Sequence, residues 1–411
     1  MKRICWAALP VLLAIAPASH AQSVGYEETL RAAVSEQPEV QARDLQVDAR
    51  RIAADAADEL PDPTLRAGIQ NFPVTGPNAF EPFGVMMNMA QVGVEQEIPN
   101  LAKRHARAGI AGADIDLATA QLAHARHMAR LGAGKAWVSL AYRQQALVVA
   151  DEALAQIGKL VPLGRSAVAS GSARPGESLE IRRAVLEVED MRTRIEADRE
   201  AAQSMLARFI AVQDATATGT LPEADVDVER LRATLEHNPE IILAVAQVRQ
   251  AEARADLARS EKRPDFGVNV SYGRRDPAFG DVVSVMGSVT LPIFAGRRQN
   301  PRIAAAEAEV AAAQSMQADR LRELKAQFEG DVAAWRSAHR QWQRATEELL
   351  PLAESRAELE RASFAAGRAE LLDVIDAIKA LALLRVEILE REEATVEAAT
   401  ELRLTYREHD L

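Results

Sequence analysis

Residues 38–70 read PEVQARDLQVDARRIAADAADELPDPTLRAGIQ, and residues 239–271 read PEIILAVAQVRQAEARADLARSEKRPDFGVNVS. Each stretch opens on Pro-Glu, runs through helix-forming residues, and meets a second proline before an alternating apolar run. The first prolines, Pro38 and Pro239, are as far apart as the second pair, Pro63 and Pro264. The correspondence continues beyond the strands. VGVEQEIPNLAKRHARAGIAGADIDLA and GSVTLPIFAGRRQNPRIAAAEAEVAAA each give a strand, a proline (Pro99 or Pro292), a basic turn and a long alanine-rich helix. RSAVASGSARPGESLEIRRAVLEVE matches RASFAAGRAELLDVIDAIKALALLR, with Gly171 and Gly367 each punctuating a helical hairpin. A period near 200 residues is the mark of a duplicated unit, helix-strand-strand-helix-helix, and not of a short-repeat solenoid.

The expected organisation is therefore a first repeat over 22–211, a linker over 212–226 and a second repeat over 227–411. Strands are expected at 63–72, 85–98, 264–273 and 281–292, and helical hairpins at 102–211 and 302–411. The opening MKRICWAALPVLLAIAPASHAQS has a basic start, a short apolar core and a small-x-small site at Ser19-His20-Ala21. That is the pattern of a cleaved secretory signal over 1–21. Cys5, the only cysteine, leaves with it, so neither a disulfide nor an N-terminal lipid on cysteine is expected. Without Lys2 and Arg3 the chain has 47 basic and 60 acidic residues, a net charge of −13. This excludes the basic balance of a nucleic-acid binder. No later segment has the ~18 consecutive apolar residues of a membrane helix, so any crossing must use strands.

Residues 102–160 and 302–350 contain no proline. At ~1.5 Å per residue they would reach roughly 90 and 70 Å, far beyond a globular helix. Leu321, Leu324, Phe328, Val332, Trp335, Trp342 and Leu349 recur at threes, fours and sevens as one narrow seam. That stripe alone is an ordinary core face; the length is what points to an extended coiled assembly.

The strands are sharper. Phe266, Val268, Val270 and Tyr272 alternate with Asp265, Gly267, Asn269 and Ser271. Val283, Val285, Val289 and Leu291 alternate with Ser284, Met286, Ser288 and Thr290. In the first copy Leu65, Ala67 and Ile69 face away from Arg66, Gly68 and Gln70, and Met86, Ala90, Val92 and Val94 away from Met87, Met89, Gln91, Glu95 and Glu97. One oily and one wet face over about ten residues fits a membrane β-barrel. A soluble sheet under helices gives the same alternation. Phenylalanine placement separates the two: Phe72, Phe80, Phe83, Phe266, Phe279 and Phe294 lie in or beside these strands, as an interfacial belt requires. Four strands cannot close alone, and open edges cannot face hydrocarbon, so a barrel demands several chains.

With these residues in view, the chain resembles the TolC-like outer-membrane efflux proteins of Gram-negative bacteria. LPIFAGRRQNPRIAAAEAEVAAAQ and SFAAGRAELLDVIDAIKALALL carry the resemblance most specifically. It implies a mainly α fold with a membrane β-barrel portion. In such a homotrimer each chain gives four strands to a twelve-stranded barrel set in outer-membrane lipid, continued by a periplasmic helical tunnel. It also implies a passive conduit for small solutes, coupled to a periplasmic adaptor (membrane fusion) protein and an inner-membrane pump of the RND or another type. The family's acidic entrance maps onto Asp373 and Asp376 in LLDVIDA, three residues apart and so on one helix face. Glu177 and Glu180 occupy the equivalent places in the first copy. Gly171 and Gly367 mark the tips where the family meets its adaptor.

QEIPNLAKR (96–104) resembles a segment of heavy-metal members of the CusC and CzcC kind, which adds heavy-metal cations as an expected cargo. Met86, Met87 and Met89 suit Cu(I) chemically, but strand methionines are usually apolar filler. His124 and His127 lie one turn apart without a companion pair. No resident metal and no cofactor are expected. There is no Walker-type loop, no Gly-x-Ser-x-Gly and no His-Glu-x-x-His, so the chain is not expected to be an enzyme or to power transport. Two other readings stay open: the same barrel serving type I protein secretion, and a periplasmic coiled-coil adaptor or scaffold that enters no membrane.

Overall fold

The computed structural model describes residues 22–81, 83, 86–171 and 174–406, without the side chains of Ala167 and Pro175. The expected signal segment, 1–21, lies outside the described residues. Helices dominate. In chain order the elements are β1 (Gln22–Val24), α1 (Tyr26–Glu36), α2 (Pro38–Ala54), β2 (Thr64–Gln70), β3 (Met89–Ile98), α3 (Leu101–Ala169) and α4 (Pro175–Ala207). The second half gives β4 (Ala215–Ala217), α5 (Val228–Ala233), α6 (Pro239–Ser260), β5 (Asp265–Arg274), β6 (Val282–Thr290), α7 (Gln299–Arg344), α8 (Leu350–Ala365) and α9 (Leu371–Tyr406). No described helix is long and apolar enough to cross a membrane.

Both quoted stretches begin a helix at their proline. Proline at the first helical position loses no hydrogen bond, because that N–H has no partner in a helix anyway. Before Pro239, Asn238 caps α6 by accepting from the Glu240 N–H at 2.9 Å. Before Pro38, Gln37 is extended (φ −67°, ψ 125°), as a residue preceding proline prefers, and this separates α1 from α2.

Two compact units divide the chain, and each draws segments from both copies of the repeat. One comprises Met1–Gln37, Gly132–Ala224 and Trp335–Thr400; the other Pro38–Leu131, Asp225–Ala334 and Glu401–Leu411. In the first, Ile157 of α3, Val188 of α4 and Ile375 of α9 belong to one apolar core. The stretch expected as a plain linker, 212–226, contains β4, which pairs in parallel with β1 from Gln22↔Ala215 to Val24↔Ala217. Trp137 of α3 fastens that pair by donating its indole N–H to the Val24 carbonyl at 2.9 Å.

The second unit holds the four-stranded antiparallel sheet, in the order β2-β3-β5-β6. The expected strands at 63–72, 264–273 and 281–292 lie within two residues of the observed ends, while the one expected from 85 begins only at Met89. The preceding loop is held by side-chain amides, not by a ladder. Asn71 donates to the Met87 carbonyl at 2.9 Å, and the buried Asn88 donates to the Glu81 carbonyl at 3.1 Å. In the same unit, the seam expected on α7 is buried at Leu324, Phe328 and Val332. Phe328 meets Tyr406 edge-on at 5.0 Å between ring centres, and the Tyr406 hydroxyl donates to Asp331 at 2.6 Å. Farther along, Leu349 is exposed. There the helix passes through a π turn over Ala345–Leu349, in which Leu350 N–H reaches back five residues to Ala345, and Pro351 follows with no N–H to offer.

Candidate functional sites: the sheet faces and the hairpin tips

In the sheet, register sorts side chains by chemistry. Leu65↔Val94↔Val270↔Val285 and Ala67↔Val92↔Tyr272↔Val283 run across all four strands on one face. Arg66↔Gly93↔Ser271↔Ser284 and Thr64↔Glu95↔Asn269↔Met286 run across the other. The usual arrangement of a water-soluble sheet is inverted. Val283 and Val285 are 68% and 72% exposed, whereas Ser271 is buried. The polar face is concave, with Arg66, Gln91, Glu95, Asn269, Ser271 and Ser288 around the hollow. It is tied together internally by an Arg66–Glu95 ion pair and by Gln91 Nε2 donating to Ser271 Oγ at 2.5 Å.

Glycines make that curvature possible. A Cβ on Gly93 would stand 2.6 Å from Ser271 Cβ, and one on Gly267 would stand 2.5 Å from Ser288 Oγ. Both positions lie on the polar face, where neighbouring strands approach each other most closely. The phenylalanines fall at both ends of the strands: Phe72, Phe80, Phe83 and Phe279 in the β2–β3 and β5–β6 connections, Phe266 and Phe294 at the opposite end, all exposed. The outer edges of β2 and β6 pair with no strand among the described residues, and the side chains of β2 are exposed along its whole length. Met89 and Met286 lie on the polar face, while Met86 and Met87 precede the strand.

The two hairpin tips close in the same way. After α3, Gly171 takes φ +75°; after α8, Gly367 takes φ +72°. A side chain at such angles costs roughly 1–2 kcal/mol, which is why glycine stands there. The returning helix is then capped by an acid. Glu177 accepts from the Arg174 N–H at 3.1 Å at the start of α4, and Asp373 accepts from the Glu370 N–H at 2.9 Å at the start of α9. Each is the third helical residue reaching back to its N-cap, half of a capping box. Asp373 and Asp376 are both exposed on α9, while Leu371, Val374, Ile375 and Ile378 bury the other face.

Sequence reasoning did not foresee that these acids are partly paired. Lys379 Nζ lies 3.5 Å from Asp376 and 2.7 Å from Glu187 of α4, and Arg183 bridges Glu187 (3.0 Å) and Glu180 (3.2 Å). The ladder Glu180–Arg183–Glu187–Lys379–Asp376 joins α4 to α9. Its hydrogen bond to Glu187 holds the Lys379 ammonium above its ordinary pKa, and the same contact draws Glu187 below the usual carboxylate range. The Arg183–Glu187 and Asp376–Lys379 spacings are visible in the sequence; the cross-helix Glu187–Lys379 contact has no local signal. Within this ladder three carboxylates face two cations.

A second polar cluster was also missed. Glu393 of α9 is buried, accepting from Ser139 Oγ at 2.8 Å and from Arg143 Nη2 at 2.6 Å, both on α3. Burial pushes its pKa up to about 7. His124 and His127 sit with ring centres 6.3 Å apart, and among the described residues no group of three or more His, Cys, Asp or Glu is placed to hold a metal.

The comparisons with known proteins agree with this layout. Residues 231–405 match the model of the outer membrane efflux protein family. No curated protein matches the chain in sequence. Among solved structures, a membrane protein from Pseudomonas aeruginosa superposes with a TM-score of 0.78 at 16% identity, covering 93% of this chain and 90% of that one. The Campylobacter jejuni CmeC outer membrane channel gives 0.76 at 11% identity, covering 93% and 85%. The open state of the Neisseria gonorrhoeae MtrE outer membrane channel gives 0.72 at 15% identity, covering 93% and 88%. Residues 231–405 thus match the outer membrane efflux protein family, and the chain as a whole has the fold of these solved outer-membrane channels.

Proposed function

We propose that this chain is the outer-membrane channel of a tripartite efflux system, a passive conduit that receives small solutes from an adaptor and pump and releases them outside. One observation carries the reading: a sheet whose exposed face is apolar, whose concave face is polar, and whose two edge strands have no strand partner at their outer edges among the described residues. Lipid satisfies the first face, water the second, and strands of sister chains the edges. Channels of this family are trimeric and work with adaptor and pump partners, which supports a twelve-stranded barrel in which each repeat gives one strand pair and one helical hairpin. On this reading Asp373 and Asp376, with Glu177 and Glu180, form the cation-attracting entrance, and the tips at Gly171 and Gly367 meet the adaptor. Heavy-metal cations enter as cargo only through the likeness of Gln96–Arg104 to metal-branch members. Acid rings concentrate cations and repel anions.

The test is conductance of the purified chain in planar bilayers. Cation-selective pores are expected, with the preference reduced in the Asp373→Ala/Asp376→Ala double variant. Unaltered selectivity in that variant would displace the entrance from these residues; absence of any pore would overturn the channel reading itself.

A further inference from the structure

The basic turns after Pro99 and Pro292 have no part in the channel reading, and both lie where the strands give way to helices. Residues 98–113 and 282–306 contain no acidic residue, although the chain carries 60 of them. The same end of the sheet receives Lys262 and Arg263, between α6 and β5. Some of these cations are neutralised within the chain, Lys103 by Asp265 at 2.8 Å and Arg302 by Glu261 at 3.1 Å. Lys262, Arg263, Arg297 and Arg298 are exposed, and among the described residues none has a carboxylate partner. A net-negative chain thus keeps unpaired positive charge at one end of its sheet.

Arg263 lines a groove between α3 and α6, with Leu101, His105 and Gly109 across from it. Its backbone is held in place. The buried Asn100 donates its side-chain amide to the Arg263 carbonyl at 3.3 Å and to the Ser260 carbonyl at 3.4 Å. Asp256 and Arg259 line the groove too, but they are joined to each other at 2.8 Å. The groove opens on the apolar side of the sheet. Lys103, two residues after Leu101 and so about 200° around α3, turns to the polar side, where its Nζ meets Asp265. Leu101 and His105, one turn apart, therefore look the other way, as Phe266 does. Leu101 is 61% exposed and Phe266 50%.

An occupant of this groove must be anionic at Arg263 and oily toward the sheet. A soluble anion would leave Leu101 and Phe266 in water, and a hydrocarbon chain alone would leave the arginine unanswered. A phospholipid meets both demands, its acyl chains continuing the lipid layer over the apolar face and its phosphate reaching the guanidinium. We infer that the α3–α6 groove binds the headgroup of an anionic phospholipid of the periplasmic leaflet, with Arg263 and His105 on the phosphate and Leu101 and Phe266 under the acyl chains. The helices leave the sheet at this end, which sets the leaflet. Arg297 and Arg298 supply cations at the corresponding end of β6 in the second repeat. The inference rests on the lipid-facing reading of the sheet and adds which lipid is held, and where.

The test is native mass spectrometry of the full chain in detergent, offered phosphatidylglycerol and phosphatidylcholine of equal chain length. The parent should retain phosphatidylglycerol in preference. Arg263→Gln should weaken that retention about fivefold, the worth of one basic residue at an anionic lipid surface. Arg263→Lys, which keeps the charge, should hold most of it. Arg336→Gln removes an exposed arginine of the other unit and should change nothing. The Arg263 guanidinium has no hydrogen bond among the described residues, so these variants should fold, which circular dichroism checks. Equal retention of the two lipids, or an unchanged preference in Arg263→Gln, overturns the site. Displacement of phosphatidylglycerol by lipopolysaccharide or by a soluble acidic peptide also overturns it. The channel reading survives each of these results while the protein forms pores in planar bilayers. A chain that enters no bilayer overturns both.

Discussion

Glu393 allows a pH prediction with a definite sign. Its carboxylate is buried between α3 and α9, held by Ser139 and Arg143, with Glu390 3.6 Å from the same guanidinium and Glu397 adding repulsion. Desolvation outweighs the arginine and moves the group from 4.5 to about 7. Between those values the folded chain binds a proton that the unfolded chain does not. Stability therefore falls as pH rises through that window and levels off above it. At 1.36 kcal/mol per unit the loss is at most about 3 kcal/mol per chain. Glu393→Gln keeps the shape and never ionises. It should match the parent at pH 4.5, exceed it by up to about 3 kcal/mol at pH 8, and flatten the slope between. The assay is denaturation in detergent, followed by helical circular dichroism at fixed protein concentration across pH 4.5–8. Parallel curves for parent and variant, or a variant less stable at pH 8, would refute the reasoning.

Two other substitutions probe the tips and the sheet. Gly367→Ala has open space around its Cβ but keeps φ +72°, so it should cost roughly 1–2 kcal/mol locally and leave oligomers intact, checked by denaturation midpoints and native gels. Gly93→Val meets Ser271 where two strands approach closely on the concave face and should eliminate the heat-resistant oligomer on unboiled gels, whereas Gly287→Ala, with nothing within 4 Å, should preserve it.

Much of this was legible before the structure because its signals are local and periodic. Alternation from Phe266 to Tyr272 fixes which face each strand residue takes, and the prolines and Gly367 punctuate the helices. The β1–β4 pair was not legible. Three-residue strands separated by nearly 200 positions show no period, and only the contact of Trp137 with Val24 reveals why they are ordered. Nor was the Glu393 site, since Ser139, Arg143 and Glu393 read as ordinary helix-surface residues until α3 and α9 are packed. The π turn escaped for a related reason: Ala345–Leu349 has helical composition, and only the proline at 351 hints that the ladder changes there. At the tips, the acid positions came from the family resemblance, and the cation that links α4 to α9 there, Lys379, had no signal in the sequence.

The measurement closest to the central claim is collisional accessibility of spin labels on the edge strand in reconstituted membranes. Labels at Val285 and Val283 should relax with lipid-soluble oxygen, and labels at Ser284 and Ser288 with a water-soluble nickel complex, alternating residue by residue along β6. Valine positions shielded from both reagents, or reached by the nickel complex as readily as the serines, would mean that this face never meets lipid.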